Sequence, residues 1–436
     1  MSVINKYIML GAAGAGGDDY YINVISDSAG SFGATLNGGP FVDSSDNMYS
    51  AGSSNGSYYL DTDVQGTLNS TKTVSETYVA NPQLTLYASG IDSSGNVYLA
   101  GDVSSGTNPS NPLVTKINSS GTAQWAKSVN NNANSRVYDI AVGSSYVLAT
   151  GIAVPSSSVA GATWLYDLSG NLQWKTASLS FSSLYNWACA INESVGKCYL
   201  GGMVDSPAVP IMYSLDLATG SSTVLGKWRT AYAGRFEGVA CDSSDNVIGV
   251  GYVQTGSTYN AIIVKFNSTI GSVTWSKEIT LGTGFCGLFG VTTDSSDNIY
   301  VGGVSNGGDH TFIGKYNSSG TFQWGVQIAD VGLNNRTNLY GLDLDSEENI
   351  IARGFTSAVS GSNSNYDTAI LRYPNDGSIT GTFGDFVISS LTPGTGGLSS
   401  NISTLNPTTL SWSTTTTNWT IGTSNRSTVT NSVTAL

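Results

Sequence analysis

The chain has 436 residues, enough for about two or three average domains or for one large array of repeats. Hydrophobic residues make up 40% of it, which suffices for a sizeable core, but charged residues make up only 11%, against roughly 25% in ordinary soluble domains. The formal net charge is −13 and the 17 basic residues are scattered. Nucleic acid and anionic membranes are therefore excluded as partners, because binding to them needs clustered Lys and Arg.

The first 36 residues predict a partial unit that consists of a strand, NKYIMLG, a glycine-rich hinge and a second strand within YYINVISDSAGSFGATL. Residues 1–17 superficially resemble a signal peptide, with Lys6 ahead of an apolar stretch. That stretch is weak and rich in glycine, so we expect no standard secretion signal. No run approaches about 18 consecutive apolar residues, so we also expect no membrane-spanning helix.

One motif then recurs along the chain, as DSSDNMYSAG from Asp43, DSSGNVYLAG from Asp92, DSSDNVIGVG from Asp242 and DSSDNIYVGG from Asp294. The glycine that ends the motif recurs at spacings of 49, 50, 51, 49, 52 and 51 residues. These anchor glycines are Gly52, Gly101, Gly151, Gly202, Gly251, Gly303 and Gly354. A period near fifty with β-type composition predicts propeller blades, whereas helical repeats would need Ala, Leu and Lys where Gly and β-branched residues stand.

Each repeat predicts four strands. In the sixth repeat these are GLFGVTT (287–293), IYVGGVS, HTFIGKY and TFQWGVQI, with turns at DSSDN and NSSG. Asp, Asn and Ser suit such turns because their side chains bond back to the backbone, and Asp and Asn tolerate left-handed angles. A tryptophan recurs in the fourth strand of five repeats, and we expect it to pack one sheet against the next. These residues are Trp125, Trp174, Trp228, Trp275 and Trp324.

The DSSxNxYxxG units resemble the bacterial β-propeller repeat family often called SBBP, and the DxxGxxxW turns resemble blades of the quinoprotein, PQQ-type propellers. The resemblance covers residues 37–389 and implies an all-β fold, a seven-bladed β-propeller of four-stranded antiparallel sheets. The third repeat departs from the pattern with VGSSYVLATG, and the seventh carries SEEN and lacks the tryptophan. We assign the propeller to residues 37–390.

Both ends of the chain predict separate roles. Residues 1–36 are expected to close the ring by pairing with the last blade, since closure leaves no long open edge; counted as a blade of their own, they would make eight. Residues 391–436 contain 14 Thr, 8 Ser and a single charge, Arg426. So polar a segment is expected to form a β-type arm that pairs with the propeller or with a neighbouring subunit.

In an antiparallel blade the two short turns, DSSDN and NSSG, lie at one end, which we call the turn face. All other connections between strands lie at the opposite end, which we call the loop face. The irregular connections, such as ADVGLNNRTN (329–338), make the loop face the predicted binding surface. Its polar and aromatic candidates are His310, Arg136, Arg235, Asn334, Arg336, Tyr259 and Tyr366.

Catalytic and cofactor motifs are missing from the sequence. Cys189, Cys198, Cys241 and Cys286 form no CxxC pair and His310 is the single histidine, which disfavours a zinc site. There is no P-loop or HExxH motif, and no repeat stands out by gaining the charged cluster that a quinoprotein dehydrogenase would need. We therefore expect no enzyme activity, no cofactor and no metal.

Three functions remain open. The first is a bacteriophage virion protein, such as a tail-fibre, tail-associated or capsid-decoration protein. It would contact other virion proteins through the arm and a host-surface glycan or protein through the loop face, as part of an oligomeric assembly. The second is a bacterial cell-surface or secreted adhesin of lectin-like type, and the third is an enzyme that acts on polysaccharide. Low charge and abundant Ser, Thr and Asn without an evident secretion signal favour the first.

Overall fold

The structure of the chain, a computed structural model, describes fifteen ranges of residues. They are 3–11, 20–27, 41–54, 56–62, 68–74, 82–105, 110–128, 134–154, 159–178, 183–204, 208–221, 228–229, 232–331, 336–357 and 367–395.

Apart from one 3-10 turn at Asn306–Gly308, the described elements are β-strands. The strands up to the third repeat are β1 (Val3–Gly11), β2 (Tyr20–Asp27), β3 (Phe41–Val42), β4 (Met48–Ser54), β5 (Gly56–Thr62), β6 (Leu68–Val74), β7 (Pro82–Ile91), β8 (Val97–Ser105), β9 (Asn111–Ile117), β10 (Ala123–Ser128), β11 (Asn134–Val142), β12 (Tyr146–Val154), β13 (Ala160–Asp167) and β14 (Leu172–Ser178). They continue with β15 (Leu184–Asn192), β16 (Lys197–Val204), β17 (Val209–Asp216), β18 (Trp228–Arg229), β19 (Gly234–Cys241), β20 (Val247–Thr255), β21 (Thr258–Phe266), β22 (Val273–Thr280), β23 (Gly287–Thr293), β24 (Ile299–Ser305), β25 (His310–Tyr316), β26 (Phe322–Asp330), β27 (Thr337–Leu344), β28 (Ile350–Thr356), β29 (Asp367–Tyr373), β30 (Gly381–Phe383), β31 (Phe386–Ser390) and β32 (Gly394–Thr395).

The described strands form seven antiparallel sheets, which follow one another along the chain. The first six sheets are built on β3–β6, β7–β10, β11–β14, β15–β18, β19–β22 and β23–β26, and the seventh on β27–β29 with β2 and β1. The four strands expected in the sixth repeat are those observed as β23 to β26. The prediction of an all-β chain of four-stranded antiparallel sheets is therefore confirmed.

The first strands of successive sheets contact one another in a closed circuit, from β3 through β7, β11, β15, β19, β23 and β27 back to β3. A central cavity of about 310 Å³ lies between them, and six of these first strands contribute to its wall. Apolar side chains fill the space between neighbouring sheets. For example, Leu148 and Leu165 of the third sheet share a buried cluster with Leu200 and Ile211 of the fourth.

The recurring aspartate at the start of the DSSDN-type turn is the centre of a hydrogen-bond network in five of the seven described sheets. Asp242 accepts hydrogen bonds from the backbone N–H of Ser244 at 3.0 Å and of Asn246 at 2.8 Å, and from Lys265 Nζ at 2.7 Å. Burial alone would raise the pKa of Asp242, but the bonds from Lys265 and Asn246 outweigh it and lower the pKa. The two backbone bonds recur at Asp43, Asp92, Asp294 and Asp345.

The fourth residue of the same turn takes the left-handed conformation, with φ between 59° and 64° at Asp46, Asp245, Asp297 and Glu348. This conformation is the one expected for Asp and Asn in such turns. The side chain here also links neighbouring sheets, because the backbone N–H and Oγ of Ser243 donate to Asp297 at 2.8 and 2.9 Å. The same kind of link joins Ser194 to Asp245, Ser295 to Glu348 and Ser346 to Asp46.

The recurring tryptophans pack between sheets, as expected. Trp275 Nε1 donates to the carbonyl of Ser318 in the next sheet at 3.1 Å. Its indole covers Gly320, where φ is +81° and an added Cβ would lie 2.8 Å from the ring. Trp125, Trp174 and Trp324 repeat this arrangement against Gly170, Gly220 and Gly377. The side chain of Trp228 lies outside the described residues.

Strands from the two ends of the chain extend the sheets outward. The strand β2 pairs with β29, from Tyr21 opposite Arg372 to Ile25 opposite Thr368, and β1 pairs with β2 beyond it. After the seventh repeat, β31 adds to the outer edge of β26, and β32 adds to β22. Of the predicted arm over 391–436, the residues from 396 onward lie outside the described part of the chain.

Candidate functional site

Six of the seven anchor glycines lie opposite a β-bulge in the first strand of their sheet, as far as the chain is described. At Gly251 an added Cβ would lie 2.0 Å from the carbonyl oxygen of Arg235, and the pairing of β19 with β20 shifts between Phe236 and Gly238. The same shift occurs in β7, β11, β15, β23 and β27. Glycine is needed here because only a residue without Cβ allows the bulged backbone this close, and the bulge re-aims one side chain per strand.

The bulged residues of these six strands are Tyr87, Tyr138, Trp187, Glu237, Phe289 and Tyr340, which we call the axial rim. The rim lies at the loop-face end of the central cavity, because the residues that line the cavity begin with Glu237, Phe289 and Tyr340 in their strands and continue toward the turn face. Five of the six rim side chains are aromatic.

Ring contacts join much of the rim. The rings of Tyr87 and Tyr138 meet edge to face at 5.6 Å, and those of Tyr138 and Trp187 stack at 4.4 Å. Across the other side, Phe289 and Tyr340 meet edge to face at 4.7 Å. Tyr87, Trp187, Phe289 and Tyr340 are partly exposed, which leaves aromatic surface accessible at this end of the cavity.

Glu237 is the exception in the rim, since the fifth sheet carries a carboxylate where the others carry a ring. Arg235 Nε donates to Glu237 Oε1, and the guanidinium lies over Trp187 at 4.3 Å and Tyr252 at 5.5 Å. Burial raises the pKa of Glu237 to about 7, although Arg235 opposes the shift. The Arg-Phe-Glu of the fifth repeat therefore places an ion pair in the rim.

A second ion pair flanks the rim at the second and third sheets. Arg136 Nε lies 3.8 Å from Asp102 Oδ1, and the arginine side chain is 46% exposed. Burial raises the pKa of Asp102 and Arg136 opposes that shift. Burial, together with the charge and hydrogen bond of Asp102, raises the pKa of Tyr87 to about 12.

Two further carboxylates join first strands below the rim. Asp139 Oδ2 accepts from the backbone N–H of Cys189 in the next sheet at 2.7 Å, and Asp343 Oδ2 accepts from Val42 at 3.3 Å. Burial raises the pKa of each to about 7. Asp139 and Glu237 both line the central cavity.

The structure brings three of the seven predicted site residues to the rim and its surroundings. Arg136 and Arg235 flank it, and Tyr259 belongs to an aromatic cluster with Tyr252 and Phe285 at 5.8 and 5.4 Å. His310 and Arg336 lie apart from these contacts: His310 Nδ1 contacts Gln327 Nε2, and Arg336 Nε pairs with Asp309 at 3.2 Å. Burial lowers the pKa of His310. Asn334 and Tyr366 lie outside the described residues.

The rim itself was missed by the sequence analysis, although a signal for it exists. The six rim positions recur at spacings of 51, 49, 50, 52 and 51 residues, each 13 to 15 residues before an anchor glycine. An aromatic residue recurs at one position of the repeat and is replaced once by glutamate. This pattern can be seen in the sequence alone and predicts the site.

In the described part of the chain, no helix has the length and apolar character to span a membrane, and no three metal-binding side chains come together. The four cysteines are free; Cys189, Cys198 and Cys286 are buried and Cys241 is partly buried.

No family model matches the chain, and no curated protein matches it. Among solved structures, the chain is similar to a protein of unknown function from Bacteroides caccae, with 11% sequence identity and a TM-score of 0.39. The match covers 67% of this chain and 98% of that one.

Proposed function

We propose that the seven sheets are the blades of one β-propeller, closed where β2 pairs with β29, and that the protein is a non-enzymatic binding protein of a bacteriophage particle. In this proposal it engages a partner or a host-surface receptor through the loop face, as a tail-fibre, tail-associated or capsid-decoration protein. The observation that carries the binding role is the axial rim.

The rim has the properties of a preformed binding surface. Its side chains project from bulged strands at the inner edges of the packed sheets, so their positions are held by backbone pairing and not by a loop. Partly exposed aromatic rings supply contact area at low cost in conformational entropy, and the neighbouring ion pairs of Arg235 with Glu237 and of Arg136 with Asp102 supply oriented polar groups.

Two features support a place on the outside of a particle. The low charge and the wealth of Ser, Thr and Asn suit an exposed surface protein. The strands β31 and β32 run along the outer edges of the sixth and fifth sheets, so Thr395, the last described residue, lies at the outer edge of the fifth sheet.

Antibodies raised against the purified protein test the location. Phage particles whose genome encodes this chain should be labelled by immunogold in electron microscopy. Fluorescently labelled protein should bind cells of the host. Gold on the envelope of uninfected bacteria would instead support the adhesin, and labelling of neither would refute both.

The proposal that the protein is not an enzyme needs a separate test, because two carboxyl groups, those of Asp139 and Glu237, line one cavity. Incubation with polysaccharides should release no reducing ends. Release that is lost in Glu237→Gln would replace the proposal with the polysaccharide-degrading enzyme.

A further inference from the structure

The chemistry of the axial rim limits the chemical class of ligand that can bind at the loop face. Both arginines beside the rim are already paired with carboxylates, Arg235 with Glu237 and Arg136 with Asp102. An ionic ligand would have to break one of these pairs, whereas an uncharged ligand with many hydroxyl groups accepts and donates hydrogen bonds alongside them. The pairing therefore favours an uncharged polar ligand.

The aromatic side chains of the rim differ in which groups pack on their rings and in whether they line the cavity. Trp187 has Tyr138 stacked on it at 4.4 Å and the Arg235 guanidinium over its ring at 4.3 Å, so its faces are engaged. Phe289 and Tyr340 meet edge to face, and Tyr340 also contacts Phe355 at 5.7 Å; both rings are partly exposed and line the central cavity. These two rings form the platform that a ligand entering from the loop face meets.

A buried polar atom lies beside that platform. Asn338 is 4% exposed, and its Nδ2 donates to Tyr340 Oη at 3.3 Å. Its Oδ1 is buried and has no hydrogen-bond donor among the described residues. A buried acceptor without a partner is costly, so its place next to the platform indicates a donor supplied by a ligand or by water.

We propose that Phe289 and Tyr340, with Asn338 and the Glu237–Arg235 pair, bind a pyranose unit of an uncharged saccharide. This inference rests on the proposed binding function of the loop face. The C–H groups of a pyranose face pack on the rings, its hydroxyl groups bond to Asn338 Oδ1 and to Glu237, and the cavity of about 310 Å³ is at the lower end of the roughly 300–1,000 Å³ range of small-ligand pockets.

Affinity electrophoresis of the full chain tests the ligand class. Native gels contain dextran, mannan, galactan or glycol chitin as uncharged probes, polygalacturonate as an anionic probe, or a polymer-coupled tryptophan-rich peptide. At least one uncharged polysaccharide should retard the wild type, and Tyr340→Ala and Phe289→Ala should weaken that retardation at least tenfold. Tyr146→Ala, a partly exposed tyrosine at the turn face, is the matched control and should leave it unchanged.

Tyr340→Phe keeps the ring and should retain most of the binding, which separates loss of the platform from loss of folding; circular dichroism and the melting temperature of each variant complete that control. Retardation by polygalacturonate or the peptide alone, or by none of the probes, would overturn the inference. If labelled protein still binds host cells in those cases, the proposed function stands while the saccharide assignment fails.

Discussion

The ion pair between Asp242 and Lys265 allows the DSSDN network to be tested energetically. Both side chains are almost fully buried, at 1% and 6% exposure, and their charged atoms lie 2.7 Å apart. Lys265 Nζ also donates to the carbonyl of Ser318 in the next sheet at 3.1 Å. Removing Asp242 therefore leaves a buried ammonium with one neutral acceptor.

We expect Asp242→Asn to lower the free energy of unfolding by about 3–5 kcal/mol, the usual cost of breaking a buried pair from one side. The amide keeps an oxygen for the backbone N–H groups of Ser244 and Asn246, so the loss reports mainly on the uncompensated charge. Adding Lys265→Met removes that charge. The double variant should consequently recover at least about 2 kcal/mol relative to the sum of the single variants.

Urea unfolding followed by tryptophan fluorescence measures the four free energies of this cycle. The exposed pair of Arg336 and Asp309, with both side chains 49% exposed at 3.2 Å, is the control, and its coupling should stay below about 1 kcal/mol. A coupling between Asp242 and Lys265 no larger than that of the exposed pair would refute the reasoning that burial makes the turn aspartate a structural centre.

Three further predictions follow from the same packing. Gly251→Ala should cost roughly 3 kcal/mol, the upper end for overpacked sites, because the added Cβ meets the carbonyl of Arg235 at 2.0 Å; Gly271→Ala at an exposed turn should change urea stability little, and equal effects would contradict the bulge explanation. Trp324→Phe should cost about 1–2 kcal/mol in the same assay, since it leaves the carbonyl of Asn375 without its donor; no loss would mean that the bond contributes nothing. For Asp139 the folded pKa of about 7 lies above the unfolded value of 3.8, so its contribution to stability is full below pH 4 and is lost as the pH rises to 7; Asp139→Asn should therefore reduce the drop in urea stability between pH 5 and pH 8 by at most about 3 kcal/mol, and an unchanged drop would contradict the raised pKa.

The repeat, its four strands and its turns are predictable from the sequence because each depends on local chemistry. DSSDN forms a turn because its own aspartate accepts hydrogen bonds from the backbone N–H groups two and four positions later, and the anchor glycine recurs with it. Strand alternation and turn residues therefore suffice to place β23 to β26.

Contacts between sheets are not predictable in the same way. The carboxylate of Asp297 reaches Ser243, 54 residues away, and that contact depends on how neighbouring sheets stack. The side chain of Glu237 turns into the rim because β19 is bulged, and the bulge follows from the pairing of two strands. The position of the loop-face residues follows from antiparallel topology, but which of them approach the axis depends on side-chain packing, and Arg235 does so while His310 does not.

The proposed closure of the propeller is tested most directly at the link between Asp46 and Ser346, which lie 300 residues apart while Ser346 N donates to Asp46 Oδ1 at 2.8 Å. In a Cys241→Ala background, the pair Asp46→Cys and Ser346→Cys should be joined within one chain by a short bismaleimide, as detected by mass spectrometry. The pair Ser144→Cys and Ser346→Cys, in the third and seventh sheets, should not. Failure of the first pair to cross-link, or equal cross-linking of both, would contradict a closed ring of seven sheets.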